Sequence, residues 1–599
     1  MSRSRLLFSL CILLCCCPSV SLSAQEKVAP DWESINRRGY PQWFSDAKLG
    51  IFIHWGLYSV PAYASPEGYG EWFYRGLMVQ DSGRTAVMRL FSDTSLSPVE
   101  QYRQLPNHWH AELWNPDQWA QMFRQSGARY VVLVTKHHDG YCLWDSPQQP
   151  EWNSVVSGPR RNIVEELSQS VRREGLRMGF YYSLPEWTNP LHIWMEDPSD
   201  SIGRYVSEYM EPQFRDLVDR YRPDLIFSDG DWNNSSEQLH SQQLISYYYN
   251  TVGSDAIVNN RWGSGTRHGF LTPEYSAGIR PSNVPWAECR GFGRSFGFNR
   301  NEQLENILSS DELIRHFVEL VANGGGLTLN VGPNADGTIP FIQQDRLRSL
   351  GQWLAVNGEA IYCSRPFQLK EGSYLTQQTR REVVPMPAEQ TICHDWVRNA
   401  PVSNGRTDHF TVRWTGSPDV RQSGNYTIMA EADDEVVVVL DGDTLLNYCK
   451  DNPNRQLQQT TLYLEAGRNY AMQVDFAEKD LEASLCLRWY RHGESETPVP
   501  IPARNGWNWT YSYDRTLRCF TSRPDSNAVY IIEFERPSQQ VVVEGFPLLD
   551  RKCDITLLGC DQPLPWHQNR KGRLSINLSS IDSRQLNALD HAWCFKVRF

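Results

Sequence analysis

Between residues 48 and 360, short apolar runs alternate with stretches in which apolar residues recur every three or four positions. The short runs are typical of buried strands, and the longer spacing is typical of helices packed on one side. The predicted strands are 49–55, 130–135, 178–183, 224–228, 256–260 and 326–331, and the clearest predicted helices are 162–174 and 212–221. Repeated strand–helix units of this kind predict an α/β fold, a TIM-type (β/α)8-like barrel.

From about residue 393 the pattern changes to short runs that alternate apolar and polar residues, such as FTVRWTG, EVVVVLDG and TTLYLEAG. Gly, Asp, Asn and Pro separate these runs, as in an antiparallel β-sandwich. The same alternation continues from about residue 510 to residue 599. All-β sandwich domains are therefore expected to follow the barrel.

Polar and aromatic residues follow most of the predicted barrel strands, in the runs HWG (54–56), KHHDGY (136–141), YYS (181–183), SDGDW (228–232) and NNRWG (259–263). Barrel enzymes build their sites at the C-terminal ends of the strands. Sugars need polar partners for their hydroxyls and flat aromatic faces for their C–H patches. The candidate polar residues are His54, Glu71, His137, His138, Tyr181 and Arg261, and the candidate aromatic walls are Phe52, Trp72, Phe227, Trp262, Phe296 and Phe298.

Two kinds of carboxylate are available for glycoside chemistry. Retaining hydrolysis uses one carboxylate as a nucleophile and one carboxylic acid to protonate the leaving oxygen, about 5–5.5 Å apart. Asp229 suits the first role because it follows the apolar strand LIF and precedes Gly230, which would let a ring approach the backbone. Glu274 in TPEYS and Glu288 in WAECR both suit the second role, and the residues alone do not separate them.

The first 24 residues have the order of a secretory signal peptide: Arg3 and Arg5, an apolar stretch, then small residues up to Ala24. We therefore expect export to the periplasm or the extracellular space, with a lipid-modified cysteine at 15–17 as the alternative. No later stretch is apolar enough to predict a transmembrane segment. The formal charge of -12 without a basic block argues against a nucleic-acid partner.

The ten cysteines after residue 24 lack CxxC spacing, which argues against a zinc site. In an exported protein they could pair, whereas buried thiols are an equally good interpretation for those in strand-like runs, such as Cys486. The adjacent His137 and His138 would point to opposite sides of an extended segment. We therefore expect no metal in the catalytic site.

The barrel region resembles the α-L-fucosidases of glycoside hydrolase family 29. The stretches that carry the resemblance are KLGIFIHWGLYSVPAY (48–63), EWF (71–73), KHHDGYCLWDS (136–146), GFYYS (179–183), PDLIFSDGDW (223–232), NNRWG (259–263), SFGFNRNE (295–302) and GGGLTLNVGPNADGTI (324–339). They cover most of residues 30–365 in family order. The resemblance implies an exo-acting retaining hydrolase that removes terminal α-L-fucose from fucosylated oligosaccharides or glycoconjugates without a cofactor.

By the same resemblance, Asp229 is the nucleophile, and Glu274 is preferred over Glu288 as the acid/base. The implied fucose ligands are His54, Glu71, Trp72, His137, His138, Tyr181 and Arg261, and the implied walls are Phe52, Phe227 and Phe296. An apolar wall suits fucose, which carries a methyl group where galactose carries a hydroxymethyl group.

Residues 395–505 resemble the protective-antigen-type β-sandwich, some members of which bind sugars through adjacent aspartates and calcium. Asp433 and Asp434 are thus weak calcium candidates, with a turn-shaping role as the alternative, and a second glycan contact is expected here. The expected domains are a signal peptide (1–24), the barrel (25–362), a lead-in (363–392), an inserted sandwich (393–506) and the family's C-terminal β-sandwich (507–599).

Two other functions remain open at this point. One is a fucose-binding protein that has lost catalysis, although Asp229 and both acid candidates are present. The other is a retaining glycosidase acting on a related sugar such as α-L-galactose.

Overall fold

A computed structural model describes residues 27–93, 95–191, 200–275, 281–397, 400–401, 409–479, 483–494, 496–587 and 589–599. The predicted signal peptide and the cysteines at 15–17 lie outside these residues. Seven strands form the first sheet: β1 (Leu49–Ile53), β2 (Tyr130–Lys136), β3 (Arg177–Ser183), β4 (Leu225–Asp229), β5 (Ile257–Val258), β6 (Ala287–Gly291) and β7 (Gly326–Val331).

These strands are parallel and follow the order β5-β4-β3-β2-β1-β7-β6. The segment 270–274 joins the two outer strands of this sheet. Its Phe270 N–H donates to the Val258 carbonyl over 3.0 Å, and the Ala287 N–H donates to the Leu271 carbonyl over 3.0 Å. The sheet therefore curls into a barrel, and the predicted fold class is confirmed.

Most of the helices surround the barrel, and the last one lies in the final β region. They are α1 (Trp32–Arg37), α2 (Gln42–Ala47), α3 (Phe73–Met78), α4 (Ser82–Met88), α5 (Pro98–Tyr102), α6 (Pro116–Gln125), α7 (Ile163–Arg173), α8 (Asp200–Arg204), α9 (Glu211–Tyr221), α10 (Ser241–Val252), α11 (Ser310–Ala322), α12 (Phe341–Asn357) and, near the C-terminus, α13 (Ser583–Asn587). In α7 the Asn162 side chain caps the first turn by accepting from the Glu165 N–H, while Leu167 and Val171 are buried. The sequence between strands thus carries both the start signal and the apolar face of a helix.

Strand alternation separates two apolar layers. Ile51 and Ile53 of β1 belong to the large core between barrel and helices, whereas Phe52 belongs to a smaller cluster inside the barrel with Tyr181 and Phe227. Side chains from the same strands therefore contribute both to the core between barrel and helices and to the cluster inside the barrel.

The remaining strands are antiparallel wherever they pair. They are β8 (Arg365–Pro366), β9 (Gln368–Lys370), β10 (Ser373–Tyr374), β11 (Gln377–Glu389), β12 (Cys393–Val397), β13 (Phe410–Gly416), β14 (Gly424–Ala432), β15 (Glu435–Leu440), β16 (Asp443–Cys449), β17 (Gln456–Leu457), β18 (Gln459–Leu464), β19 (Met472–Ala477), β20 (Ala483–Arg491), β21 (Val499–Pro500), β22 (Trp507–Arg523), β23 (Ala528–Glu533), β24 (Gln540–Val543), β25 (Asp554–Leu557), β26 (Cys560–Pro563), β27 (Trp566–Gln568), β28 (Leu574–Asn577) and β29 (Trp593–Arg598).

The long strand β22 links the two β regions. Its first half pairs with β13 and its second half with β23, so that one sheet runs through both regions, and β11 pairs along its length. A second sheet, β12-β20-β14-β18, covers one face of the first region. The three-stranded sheet β24-β28-β27 contributes to the core of the last region.

A disulfide joins Cys393 of β12 to Cys486 of β20, which are register partners in the sandwich. Of the two interpretations of Cys486, pairing is therefore the one observed. Among the described residues, no helix combines the length and the apolar character that crossing a bilayer requires.

Candidate active site

A cavity of about 290 Å³ opens at the C-terminal ends of the barrel strands. This volume is close to the lower end of the range of about 300–1,000 Å³ for small-molecule sites. Its lining residues are Phe52, His54, Tyr69, Glu71, Trp72, His137, Tyr181, Phe227, Asp229, Trp232, Arg261, Glu274, Cys289 and Phe296. The cavity thus brings together residues from distant parts of the chain.

Asp229 ends β4, and three side chains surround its carboxylate. The Tyr181 hydroxyl donates to Oδ2 over 2.8 Å, an Arg261 Nη1–H donates to Oδ1 over 3.0 Å, and His138 Nε2 lies 3.6 Å from Oδ2. Burial alone would raise the pKa of Asp229, but the Arg261 guanidinium, His138 and the Tyr181 hydroxyl outweigh it and lower that pKa. Asp229 is therefore held as a carboxylate that faces the cavity.

Gly230 has a different role from the expected one. Its φ of +83° lies in the left-handed region, and a Cβ atom there would lie 2.3 Å from Pro185 Cδ. Glycine is required at this position because the chain turns tightly against Pro185. Gly230 therefore sets the direction in which the chain continues after Asp229, the last residue of β4.

Glu274 shares a partner with Asp229. The Arg261 Nη2–H donates to Glu274 Oε2 over 3.1 Å, and the Tyr69 hydroxyl donates to Glu274 Oε1 over 3.2 Å. Glu274 lies at the end of the barrel-closing segment, bridged to Cys289 of β6. One guanidinium thus holds two carboxylates at the same cavity.

Glu288 lies outside the cavity. Its neighbour Cys289 lines the cavity, so strand alternation turns Glu288 toward the helices, where it contacts His316 of α11. The Glu288 side chain is 0% exposed. The structure therefore gives the two acid candidates opposite sides of the barrel wall.

The three histidines lie close together, and the environments of His54 and His137 keep these two rings neutral. Burial lowers the pKa of His54 to about 4, and burial together with His138 and His54 lowers that of His137 well below its usual value. His137 stacks on Tyr181 with ring centroids 5.6 Å apart. His138 does not line the cavity, but it reaches Asp229 from behind, and its Nδ1 lies 2.6 Å from Ser183 Oγ.

Glu71 is a third carboxyl group of the cavity and is 3% exposed. The Gly297 N–H donates to its Oε2 over 2.7 Å. Burial, with a smaller contribution from nearby Glu274, raises the pKa of Glu71 to about 7, although the Gly297 N–H opposes the shift. Glu71 therefore changes its protonation state close to neutral pH.

The aromatic walls occupy one side of the cavity. Phe52 lies 5.0 Å from Phe227 and 4.7 Å from His54 between ring centroids, and Phe296 lies 4.9 Å from His54. Trp262 packs instead against Phe214 of α9, and Phe298 is absent from the lining residues. The residues predicted for the catalytic site all line the cavity except Trp262, Phe298, His138 and Glu288.

Three lining residues were not predicted from the sequence: Tyr69, Trp232 and Cys289. Tyr69 and Trp232 are close in sequence to the predicted residues Glu71 and Asp229, and this closeness is the signal that could have identified them. Cys289 could be found only with the register of β6, which lacks an apolar run. Trp232 is 47% exposed and packs against Trp72 with centroids 5.7 Å apart.

Asp433 and Asp434 lie far along the chain in the sandwich. Asp433 Oδ1 lies 3.1 Å from Lys450 Nζ, and Asp434 Oδ2 accepts from the Lys479 N–H over 2.7 Å. With Glu478 they offer three carboxylate oxygens within 4.8 Å of one another. The pair thus has local structural partners, and calcium binding stays a prediction.

Known proteins resemble this chain along most of its length. The family model described as Alpha-L-fucosidase matches residues 15–359, the PA14 domain model matches 372–500, and the Alpha-L-fucosidase C-terminal domain model matches 516–598. The alpha-L-fucosidase of Dictyostelium discoideum is 36% identical over 418 residues, which cover 67% of this chain and 90% of that protein. The tissue alpha-L-fucosidase of Homo sapiens is 37% identical over 353 residues, which cover 57% and 74%.

A solved structure gives the same result in three dimensions. The Thermotoga maritima alpha-fucosidase, in complex with a mechanism-based inhibitor, aligns with a TM-score of 0.63 and 25% identity over 96% of this chain and 100% of that chain. The family model alone covers more than half of the sequence, including every residue of the cavity. This chain belongs to the alpha-L-fucosidase family.

Proposed function

We propose that this protein is a retaining exo-α-L-fucosidase in which Asp229 is the nucleophile and Glu274 is the acid/base. The observation that carries the proposal is the pairing of both carboxylates with one guanidinium, Arg261, at the cavity. Glu288 is less suited to the acid/base role because it is buried against His316 on the other side of the strand.

The proposed reaction has two displacements at the anomeric carbon. In the first, an Asp229 oxygen attacks that carbon while Glu274 gives its proton to the departing glycosidic oxygen, which leaves a fucosyl ester on Asp229. In the second, Glu274 takes a proton from water, the water oxygen attacks the same carbon, and the ester bond to Asp229 breaks. The lowered pKa of Asp229 supports the first step because only the carboxylate is nucleophilic.

The walls favour a sugar with an apolar substituent. Phe52, Phe227 and Phe296 line the cavity beside His54, so an L-fucose ring can present its hydroxyls to the histidine and its methyl group to the phenylalanines. The extra hydroxyl of α-L-galactose would lose a water partner against this wall, at a cost of about 1–3 kcal/mol.

Trp232 favours a glycan as the leaving group. It lies at the cavity and is 47% exposed, and its contacts with Trp72 and His138 hold the indole in place. A fixed, half-exposed aromatic face suits the C–H face of a second sugar. The substrate is therefore a fucosylated oligosaccharide or glycoconjugate.

Export is part of the same proposal. The N-terminal pattern of residues 1–24 is that of a signal peptide, and the Cys393–Cys486 disulfide is typical of an oxidising compartment. We therefore infer that the enzyme acts in the periplasm or outside the cell.

The test compares wild type, Asp229→Gly, Glu274→Ala and Glu288→Ala on an aryl α-L-fucoside, each with and without azide. We expect Asp229→Gly and Glu274→Ala to lose at least about a thousandfold in kcat. Azide should give β-fucosyl azide with Asp229→Gly and α-fucosyl azide with Glu274→Ala, because only the latter still forms the fucosyl ester. Glu288→Ala is the matched buried control and should hydrolyse without azide.

Three results would change the proposal. Azide rescue of Glu288→Ala but not of Glu274→Ala would transfer the acid/base role. L-fucose binding without hydrolysis by the wild type would support a fucose-binding protein. Faster hydrolysis of the aryl α-L-galactoside would change the substrate.

A further inference from the structure

Asn330 lies inside the barrel, immediately behind the cavity wall. It is on β7, in register with Phe52 of β1, and it is 1% exposed. Its neighbours Leu329 and Val331 belong to the outer core, so alternation turns Asn330 inward. It does not line the cavity, yet it contacts two residues that do.

The two contacts fix the orientation of the Asn330 amide. The Nδ2 group lies 2.7 Å from the Phe296 carbonyl oxygen, and Oδ1 lies 2.7 Å from His54 Nδ1. A carbonyl oxygen can only accept a hydrogen bond, so the amide must present its NH2 group to Phe296. Its oxygen then faces His54.

The same reasoning fixes the tautomer of His54. The Asn330 oxygen can only accept, so His54 Nδ1 must carry the proton that is shared between them. Burial lowers the pKa of His54 to about 4, which keeps the ring neutral at ordinary pH. The other ring nitrogen, Nε2, then has a lone pair and no proton.

We propose that Asn330 is a positioning residue that fixes His54 in the Nδ1–H tautomer, so that Nε2 accepts a hydrogen bond from one substrate hydroxyl. The inference rests on the proposed function for the identity of the ligand, a fucose hydroxyl. It assigns a direction to that bond: the sugar must donate, and a substituent that only accepts cannot replace it.

Asn330 also ties the hydroxyl acceptor to the apolar wall. Its NH2 group holds the main chain of Phe296, whose ring lies 4.9 Å from the His54 ring. A single buried amide thus sets the spacing between a polar and an apolar contact of the same sugar. Loss of the amide removes the tautomer preference of His54, and it also releases the main chain of Phe296.

The first experiment determines which ring nitrogen of His54 carries the proton in the wild-type protein. Long-range ¹⁵N–¹H correlation spectra of ¹⁵N-histidine-labelled protein distinguish protonated from unprotonated ring nitrogens, and a His54→Gln sample assigns the resonances. We expect a protonated Nδ1 and an unprotonated Nε2 for His54. A protonated Nε2 would overturn the proposal, whether or not the protein hydrolyses fucosides.

The second experiment compares wild type and Asn330→Ala on an aryl α-L-fucoside and its 2-, 3- and 4-deoxy analogues. In wild type, the analogue that lacks the hydroxyl facing His54 should lose about tenfold to a hundredfold in kcat/KM beyond its intrinsic reactivity. In Asn330→Ala we expect this one penalty to shrink to within about threefold, while the other two remain.

Asn153→Ala is the matched control. Asn153 is also 1% exposed, and its amide bonds only main-chain groups, including the Gln149 carbonyl at 2.7 Å and the Val155 N–H at 2.9 Å. It should leave all three penalties as in wild type. An equal loss on every substrate in Asn330→Ala would mean a merely structural role and would overturn the proposal. If the wild type hydrolyses no fucoside, the proposed function fails, while the spectra still decide the tautomer.

Discussion

Arg261 is the charged side chain that lowers the pKa of Asp229 most, and its guanidinium pairs with both Asp229 and Glu274. Lysine keeps one positive charge but cannot bridge two carboxylates through fixed nitrogens. In Arg261→Lys we expect kcat/KM on an aryl α-L-fucoside to fall about a hundredfold or more. The acid limb of its pH profile should move to higher pH, because Arg261 lowers the pKa of Asp229.

Arg177→Lys is a matched control for this prediction. Arg177 also bridges two carboxylates, Asp224 at 2.9 Å and Asp255 at 2.8 Å, but at the opposite end of the barrel. Its replacement should leave the pH profile unchanged. An unshifted acid limb in Arg261→Lys would contradict the proposed role of this residue.

Glu71 should make stability depend on pH. Its folded pKa of about 7 lies above the ordinary value of 4.5, so the unfolded chain ionises this group first as pH rises. The stabilisation is complete below pH 4.5 and is lost as pH rises through 7. Glu71→Gln should therefore gain about 1–3 kcal/mol of unfolding free energy relative to wild type between pH 4.5 and pH 8.

Urea unfolding of both proteins at the two pH values measures this difference. Glu237 is an exposed carboxyl group, and Glu237→Gln should show no such change. Parallel curves for wild type and Glu71→Gln at both pH values would contradict the burial of a neutral Glu71.

Many of the cavity residues predicted from sequence lie at or just after the end of an apolar strand, as Asp229 and His137 do, whereas Glu71 lies in a short 3-10 helix. The choice between Glu274 and Glu288 depended on which side of a strand each faces, and β6 has no apolar alternation to reveal it. Asn330 lies within the predicted strand 326–331, but its partner is set by the barrel register, which a single sequence does not contain.

At the scale of elements, the predicted strands and helices agree closely with those observed: the predicted helix 162–174 is α7 (Ile163–Arg173). The strand β6 (AECRG) was not predicted, because it carries charged residues on the side that faces α11. The barrel-closing segment 270–274 contributes only isolated bridges, which leave no periodic pattern in the sequence.

The disulfide is an element-scale clamp, since it joins the neighbouring strands β12 and β20. It closes a loop of 93 residues, so its loss should destabilise the sandwich by about 2–4 kcal/mol. In Cys393→Ser we expect a lower unfolding temperature for the sandwich but unchanged kcat/KM on an aryl α-L-fucoside. Calorimetry and kinetics check the two parts.

Cys363→Ser provides the control, because Cys363 is exposed and has no disulfide partner within the described part of the chain. It should leave the calorimetric trace unchanged. A free Cys486 thiol in the oxidised wild-type protein, detected by alkylation and mass spectrometry, would contradict the pairing.

At the scale of the whole molecule, the last β region packs against the barrel helices and shares an apolar core with them. Tyr530, Ile532 and Cys594 belong to the same apolar core as the barrel helices, and an Arg315 Nη1–H donates to the Thr516 carbonyl over 2.7 Å. The sandwich has a separate apolar core of its own. The two β regions therefore differ in how much the barrel depends on them.

The antiparallel pairing of β11 with β22 allows this difference to be tested by excision. Glu382 and Tyr513 are register partners, so deletion of residues 383–512 leaves two chain ends side by side. An Asn-Gly turn can join them as a two-residue hairpin. The shortened β22 keeps its pairs with β23 and its contact with α11.

We expect this shortened protein to fold and to hydrolyse an aryl α-L-fucoside with kcat/KM within about threefold of the full chain, because its cavity residues and their core are intact. Activity on a surface bearing many fucosylated glycans should fall further than activity on the aryl substrate if the sandwich supplies a second glycan contact. If the deletion lowers activity on both substrates by the same factor, the sandwich supplies no second glycan contact. A tenfold loss on the aryl substrate would instead show that the barrel needs the sandwich, and that the cavity is not formed by the barrel alone.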